Sequence, residues 1–343
     1  MEAFERKYLE RALELARHAE GVSLPNPMVG AVIVAPGGRI IGEGFTAECG
    51  KGHAEVNAVA SVSEADRALL PQSTIYVTLE PCSHYGKTPP CAKLLCDIGI
   101  SRAVVGTVDP FAKVSGRGIN MLRRAGVEVE MAPQDFAEKC LWLNRRFFTA
   151  HSLKRPFVTL KWARSADGWL DRRRTPSNPH PAAISTPSGR LAVHRLRGCH
   201  DAILVGSGTV LADHPRLDAR IAGCKNPLPV ILDVRRRLAG ADIITTRAPL
   251  VIDYEASLAD YLADLYARGI TSVLVEGGSY TLQRFIDAGL WDEAREEIAP
   301  VDFGDEGCAP APTLSGKLIR SMNIGPNCVN LYSREACRHV KNL

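Results

Sequence analysis

Three short segments of this chain carry groups that have a use only if they meet in space: His53-Ala-Glu55, Pro81-Cys82 and Cys91. An imidazole and two thiols are soft donors, and three of them leave one position of a tetrahedral zinc ion open. A closed four-ligand site builds structure, whereas an open one admits water, so the set reads as catalytic. Glu55 lies two residues from His53, off the ligand's helical stripe but within reach of that open position. Zinc lowers the pKa of a water there to about 7, from about 15.7 in bulk. A carboxylate beside it can take the proton and deliver it to a ring nitrogen and a departing amine. H-x-E followed by Pro-Cys and a second Cys is the signature of the zinc base deaminases. The departure here is the gap, since Ser83 to Pro90 separate two cysteines that usually stand two residues apart. His84 falls inside the gap as an alternative ligand, although a substrate or solvent contact is the more ordinary role for it.

Convergence of these groups constrains the fold. Met28–Val34 is an apolar run between Pro27 and Pro36-Gly37-Gly38, read as a buried strand with Arg39–Phe45 as its hairpin partner. His53–Ser61 has helical spacing, Thr74–Leu79 reads as a strand, and Cys91–Ile98 as a helix opening after Pro89-Pro90. Cys82 then follows a strand and Cys91 begins a helix, where the helix dipole favours a thiolate. Both can face the start of the His53 helix. Ala103–Val108, Ile119–Ala125 and Val127–Met131 continue as strand, helix and strand, so this half is α/β. A second α/β pattern starts near Pro156, with strands at Phe157–Trp162, Asp201–Val205, Pro229–Asp233, Pro249–Asp253 and Ser272–Val275. Helices fall at Thr186–Arg197, Leu258–Ala267 and Thr281–Ala288. At 343 residues two domains are expected, 1–149 and 150–343, with a mostly helical stretch before the boundary and no Gly/Ser linker.

Composition narrows the function. A net charge of +4 is diffuse, and aromatics are 6% of the chain, which argues against a nucleic-acid surface. Arg172-Arg173-Arg174 and Arg235-Arg236-Arg237 are the dense basic runs, read as solvated loops with a phosphate contact as the alternative. No apolar run approaches the roughly 20 residues of a bilayer span. The first residues read as an amphipathic helix rather than a leader, so the cytoplasm is the expected compartment. Of ten cysteines, Cys82 and Cys91 alone have spacing that suggests metal, and most of the others read as small buried apolar residues.

With Thr78-Leu-Glu-Pro-Cys-Ser-His-Tyr-Gly-Lys-Thr-Pro-Pro-Cys91 taken as one unit, the chain resembles the bifunctional riboflavin-biosynthesis deaminase–reductases, in which the long cysteine gap is a hallmark. The likeness continues through Pro25–Gly30, Asp109-Pro110 and Gly116–Gly118. In the second half it runs through Leu160-Lys161, Ser165–Gly168, Gly208–Pro215 and Val275–Gly278, and is less clear after about Ile298. It implies a cytidine-deaminase-like three-layer α/β/α domain followed by a dihydrofolate-reductase-like α/β domain. The implied substrate is a small phosphorylated pyrimidine, a diamino-pyrimidinone bearing a phosphoribosylamino group. Zinc serves the deamination, and NADPH reduces the ribosyl chain to ribityl. By the resemblance Glu55 shuttles the proton and His53, Cys82 and Cys91 hold zinc. Asn26, Lys87 and Asp109 bind the pyrimidine. Ala163, Thr209, Asp213, Gly277 and Gly278 bind NADPH, and Arg197, Leu217, Arg220 and Glu276 bind the reductase substrate. A homo-oligomer, dimer or tetramer, with no nucleic-acid or membrane partner, is expected.

Some positions depart from the family pattern. Pro181 and Ala183 stand where many members carry Ser and Trp, the stretch 172–183 is altered, and Thr46 and Phe111 replace familiar polar residues. Two alternatives follow: a single-activity deaminase with a degenerate second domain, or a nucleic-acid-editing deaminase.

Overall fold

The computed structural model describes residues 3–85, 89–109, 116–241 and 243–334, with Ala3 and Phe4 described for the backbone alone. The chain divides into two compact units between Leu153 and Lys154.

In the first unit the elements are α1 (Ala3–Arg17), β1 (Gly30–Val34), β2 (Ile40–Phe45), α2 (Ala54–Ala60), β3 (Thr74–Val77), α3 (Cys91–Asp97), β4 (Arg102–Val105), α4 (Arg117–Arg124), β5 (Glu128–Met131), α5 (Gln134–Leu143) and α6 (Arg145–Leu153), which contains Thr149. The sheet order is β2-β1-β3-β4-β5. β1 is antiparallel to both neighbours, while β3, β4 and β5 are parallel. Side chains of a strand alternate between faces, and the core divides accordingly. Ala31, Ile33, Ile75, Val77, Ala103 and Val105 pack in one apolar cluster with residues of α2, α3 and α4. Val32, Val34, Tyr76 and Val104 pack in another with α1 and α5. A sheet made apolar on both faces demands a helical layer on each, which gives three layers.

α2 lies unusually close to the sheet. A Cβ at Gly44 of β2 would stand 2.4 Å from the Ala58 nitrogen and 2.5 Å from the Ala54 oxygen. Only glycine permits this approach, which fixes where the helix, and the histidine that precedes it, can sit. Asn57 secures the incoming loop by donating to the Phe45 and Gly52 carbonyls at 2.8 and 3.1 Å.

The second unit holds β6 (Phe157–Arg164), β7 (Trp169–Arg172), α7 (Pro187–Gly198), β8 (Ala202–Gly206), α8 (Ser207–Asp213), β9 (Leu228–Leu232), β10 (Leu250–Ile252), α9 (Leu258–Ala267), β11 (Ser272–Gly277), α10 (Ser279–Asp287), β12 (Glu293–Ile298), β13 (Gly307–Pro310), β14 (Lys317–Ile324) and β15 (Asn327–Ser333). Eight strands run in the order β10-β9-β8-β11-β6-β12-β15-β14, and β13 pairs with β7. The first six are parallel, and β15 and β14 extend the sheet in antiparallel fashion. The five apolar strands expected from the sequence are present as β6, β8, β9, β10 and β11. β12 was not legible, because its sequence Glu-Ala-Arg-Glu-Glu-Ile lacks an apolar run. It is nevertheless buried, and its charges are matched: Arg295 pairs with Glu297 at 3.2 Å, and Arg164 with Glu296 at 2.7 Å.

Gly44→Ala should unseat α2 at a cost of about 3 kcal/mol. Differential scanning calorimetry together with zinc content should show a destabilised first unit with weakened metal binding.

Candidate active sites

Strand pairing explains why the first site assembles. Because β1 runs antiparallel to β2 and β3, the start of β1 lies beside the ends of both: Gly30 pairs with Phe45, and Thr78 N–H donates to the Gly30 carbonyl at 3.1 Å. Parallel β4 ends on the same side. Asn26 before β1, Thr46 and His53 after β2, Cys82 after β3 and Asp109 after β4 therefore leave the sheet at one end. His53 occupies the position before α2, and Cys91 is the first residue of α3.

His53 Nδ1 stands 3.6 Å from Cys82 Sγ and 3.3 Å from Cys91 Sγ, and one ligand atom from each residue fits within 4.8 Å of the others. Cys91 N–H donates to Cys82 Sγ at 3.3 Å. Hydrogen bonds from Cys91 and His53 bring the Cys82 thiol down to about 4, whereas its bond to Cys82 and burial push Cys91 up. The pair thus gives up one proton readily and holds the second. A soft divalent cation removes that obstacle, and one imidazole with two thiols is the donor set zinc prefers. The residues fit the metal. Glu55 is buried beside them, and desolvation, reinforced by the Cys82 charge, pushes its carboxyl up to about 7. A carboxyl poised there can both accept and return a proton near neutrality.

Asn26 is held in place by the backbone, its N–H donating to the Ser23 carbonyl at 2.8 Å. The following loop is clamped by Asn144, which accepts from Met28 N–H and donates to Met28 O, both at 2.8 Å. Asp109 is buried, and its N–H donates to Glu80. Glu80, which the sequence reading passed over, accepts from four backbone N–H groups: those of Asp109, Gly116, Gly118 and Ile119, at 2.9–3.3 Å. Its place inside Leu-Glu-Pro-Cys was a signal, but its partners lie too far along the chain for spacing to reveal. Lys87 and Phe111 lie outside the described residues.

In the second unit a cleft of about 1010 Å³ opens at the carboxyl ends of β6, β8, β9 and β11, where parallel α/β sheets bind ligands. Ala163, Thr209, Asp213, Glu276 and Gly278 line it, and Gly277 adjoins them. Gly277 has φ +146°, a conformation open to glycine, and Thr209 Oγ1 would lie 3.4 Å from a Cβ at Gly278. The backbone is therefore bare where a dinucleotide would approach. Arg235 and Arg237 also border the cleft, although the whole run 235–237 is exposed as a solvated loop would be.

Arg197, Leu217 and Arg220 form a neighbouring group outside the cleft lining. Arg197 grips Glu276 with Nε and Nη2 at 2.8 and 2.6 Å, and its Nη1 donates to the Asp218 carbonyl at 3.0 Å. Arg220 Nε donates to Asp218 Oδ1 at 2.7 Å, and Leu217 is buried. The Arg197 guanidinium, expected to bind substrate, is thus engaged with Glu276, one of the carboxylates that line the cleft. Lys161, a further residue missed as a site group, lines the cleft with Glu276, each directly following the paired residues Leu160 and Val275 of β6 and β11. Burial pushes the Glu276 carboxyl up, but Arg197 and Lys161 outweigh it and the net direction is down. Burial lowers Lys161, with Glu276 opposing.

Fold and site together define a zinc-type pyrimidine deaminase joined to a reductase. The zinc-binding region of the cytidine and deoxycytidylate deaminases matches residues 2–107, and the RibD C-terminal domain matches 156–328. The riboflavin biosynthesis protein RibD of Bacillus amyloliquefaciens is 36% identical over 94% of this chain and 91% of its own length. RibD of Escherichia coli is 32% identical over 94% and 98%. A Thermotoga maritima crystal structure, a diaminohydroxyphosphoribosylaminopyrimidine deaminase/5-amino-6-(5-phosphoribosylamino)uracil reductase, superposes with a TM-score of 0.85 at 33% identity, covering 96% of this chain and 99% of that one. The chain belongs to the RibD family, the bifunctional deaminase–reductases of riboflavin biosynthesis. Among the described residues, no helix is long and apolar enough to cross a membrane.

Glu55→Gln should retain zinc, measured by metal analysis, while deaminase turnover falls by at least about 10²-fold; undiminished turnover would remove Glu55 from proton transfer. Since Lys161 is lowered, its charge is present below the depressed value and lost as pH rises through it. A reductase profile should then show an alkaline limb below the ordinary lysine value of about 10.4, and Lys161→Arg should move that limb upward.

Proposed function

We propose that the first unit removes the 2-amino group of 2,5-diamino-6-(5-phosphoribosylamino)pyrimidin-4(3H)-one and that the second reduces the ribosyl side chain of the product to ribityl with NADPH. The observation that carries the first step is the convergence of His53, Cys82 and Cys91 within 4.8 Å beside buried Glu55. Zinc, when bound, supplies a water acidified to a pKa of about 7. Glu55 would carry one proton of that water to the ring nitrogen as the oxygen bonds to C2, and then the second to the amine as the C2–N bond breaks and ammonia leaves, while Asn26, Lys87 and Asp109 orient the pyrimidine.

For the second step NADPH supplies the hydride. Ala163, Thr209, Asp213 and the Gly277-Gly278 turn hold the cofactor in the cleft. Arg235 and Arg237 take its 2′-phosphate, a role supported by their place in the lining and by the suitability of the guanidinium for phosphate. Glu276 and Lys161 hold the proton that must accompany the hydride. Arg197, Leu217 and Arg220 bind the substrate side, with Arg197 acting through its grip on Glu276. The protein works as a cytoplasmic homo-oligomer.

Purified protein supplied with the deaminated intermediate should oxidise NADPH, followed by its absorbance; no oxidation would leave a single-activity deaminase. Arg237→Ala should raise KM for NADPH about tenfold, and hardly change it for NADH, if one charged phosphate contact is lost. Equal effects on both cofactors would remove Arg237 from the 2′-phosphate.

A further inference from the structure

The end of β7 and the loop after it supply a wall of the reductase cleft: Asp171, Arg174, Pro181, Ala182, Ala183 and Ile184 all line it. A loop that forms such a wall needs a means of holding that position. Asp171 provides one end of it. Its Oδ2 accepts from Arg174 Nε and Nη2 at 3.0 and 2.8 Å, and its Oδ1 accepts from Ala182 N–H at 2.8 Å. One carboxylate thereby ties the outgoing strand of the loop to the returning one. The tip is closed by Thr175 and Asn178, whose backbones exchange hydrogen bonds at 2.9 and 3.2 Å.

Arg174 then crosses from the loop to α8. Its Nη1 donates to the Ala212 carbonyl at 2.7 Å, and its Nη2 to Asp213 Oδ1 at 2.5 Å. The guanidinium therefore holds an aspartate on each side of one corner of the cleft, along with a carbonyl of the last helical turn, where a cation is favoured. Planar geometry lets arginine serve all these acceptors at once, which a lysine ammonium cannot do with the same directions. Two consequences follow. The 181–184 wall is fixed relative to α8, and the charge of Asp213 is compensated where an anionic dinucleotide would enter. With its donors directed at these partners, Arg174 has little left to offer a reacting atom.

We propose that Arg174, bridging Asp171 and Asp213, is a positioning residue that sets the reductase cleft's affinity for NADPH without taking part in hydride transfer. This rests on the second unit being the NADPH site.

The test uses the full-length protein. NADPH affinity is read by fluorescence titration and reductase kinetics at varied NADPH, and deaminase turnover reports on the integrity of the chain. R174M should raise both Kd and KM for NADPH about tenfold, as for loss of a charge-assisted bridge, with kcat within about twofold. R174K restores the charge but not the fork, so it should recover only part of the affinity. Asp171→Asn weakens the loop end alone and should raise Kd with Asp213 untouched. Unchanged affinity in both R174M and Asp171→Asn would overturn the proposal. So would a fall in kcat at unchanged affinity, which would make Arg174 a participant in the chemistry. Should R174M fail to fold, R174K carries the test, and wild-type affinity in R174K overturns the bridging geometry. A wild-type protein that neither binds nor oxidises NADPH instead overturns the cofactor reading itself.

Discussion

The antiparallel seat of β1 between β2 and β3 is the constraint from which the deaminase site follows. It sets the beginning of one strand beside the ends of two others, so that segments far apart in sequence leave the sheet together. Had β1 run parallel to β3, Asn26 and Cys82 would lie at opposite ends of the sheet. Gly44 then lets α2 settle close enough to deliver His53, and Glu80 gathers the Asp109 and Gly116–Ile119 backbones onto one carboxylate. The site is held by backbone geometry and by a carboxylate that is not itself a ligand.

The second unit meets a different demand, because it buries charge near its cleft. Unpaired buried charges are costly, and removing one partner of a pair is costlier than never having had it. Here the buried carboxylates come with partners, Glu276 with Arg197 and Glu297 with Arg295 and Asn327, and the exposed Asp213 is paired with Arg174. Most of these pairs join different elements, so they fix strand to helix or loop to helix as well as balancing charge. The cleft is consequently a polar one with walls cross-linked by arginines, in keeping with a charged dinucleotide and a phosphorylated substrate.

Much of this was legible beforehand. That His53, Cys82 and Cys91 meet beside Glu55 could be read from residue type and order, since few arrangements put His-x-Glu and Pro-Cys in one chain for another reason. The apolar strands were legible because burial on both faces leaves a continuous hydrophobic run. β12 was not, since its buried positions carry Arg and Glu whose burial makes sense only beside Arg164 and Asn327. Arg197 shows the same limit: spacing could say that a guanidinium was present but not that its fork is turned to Glu276.

The sequence by itself determined the chemistry of the first unit, the α/β class of both, and the family, because these depend on residue identities and local periodicity. Tertiary structure decided which charges are compensated, which arginines face the cleft, and how the loop after β7 forms a wall. Those outcomes rest on contacts between residues tens or hundreds of positions apart. No local pattern encodes such a contact, since it exists only once the strands have paired and the helices have packed.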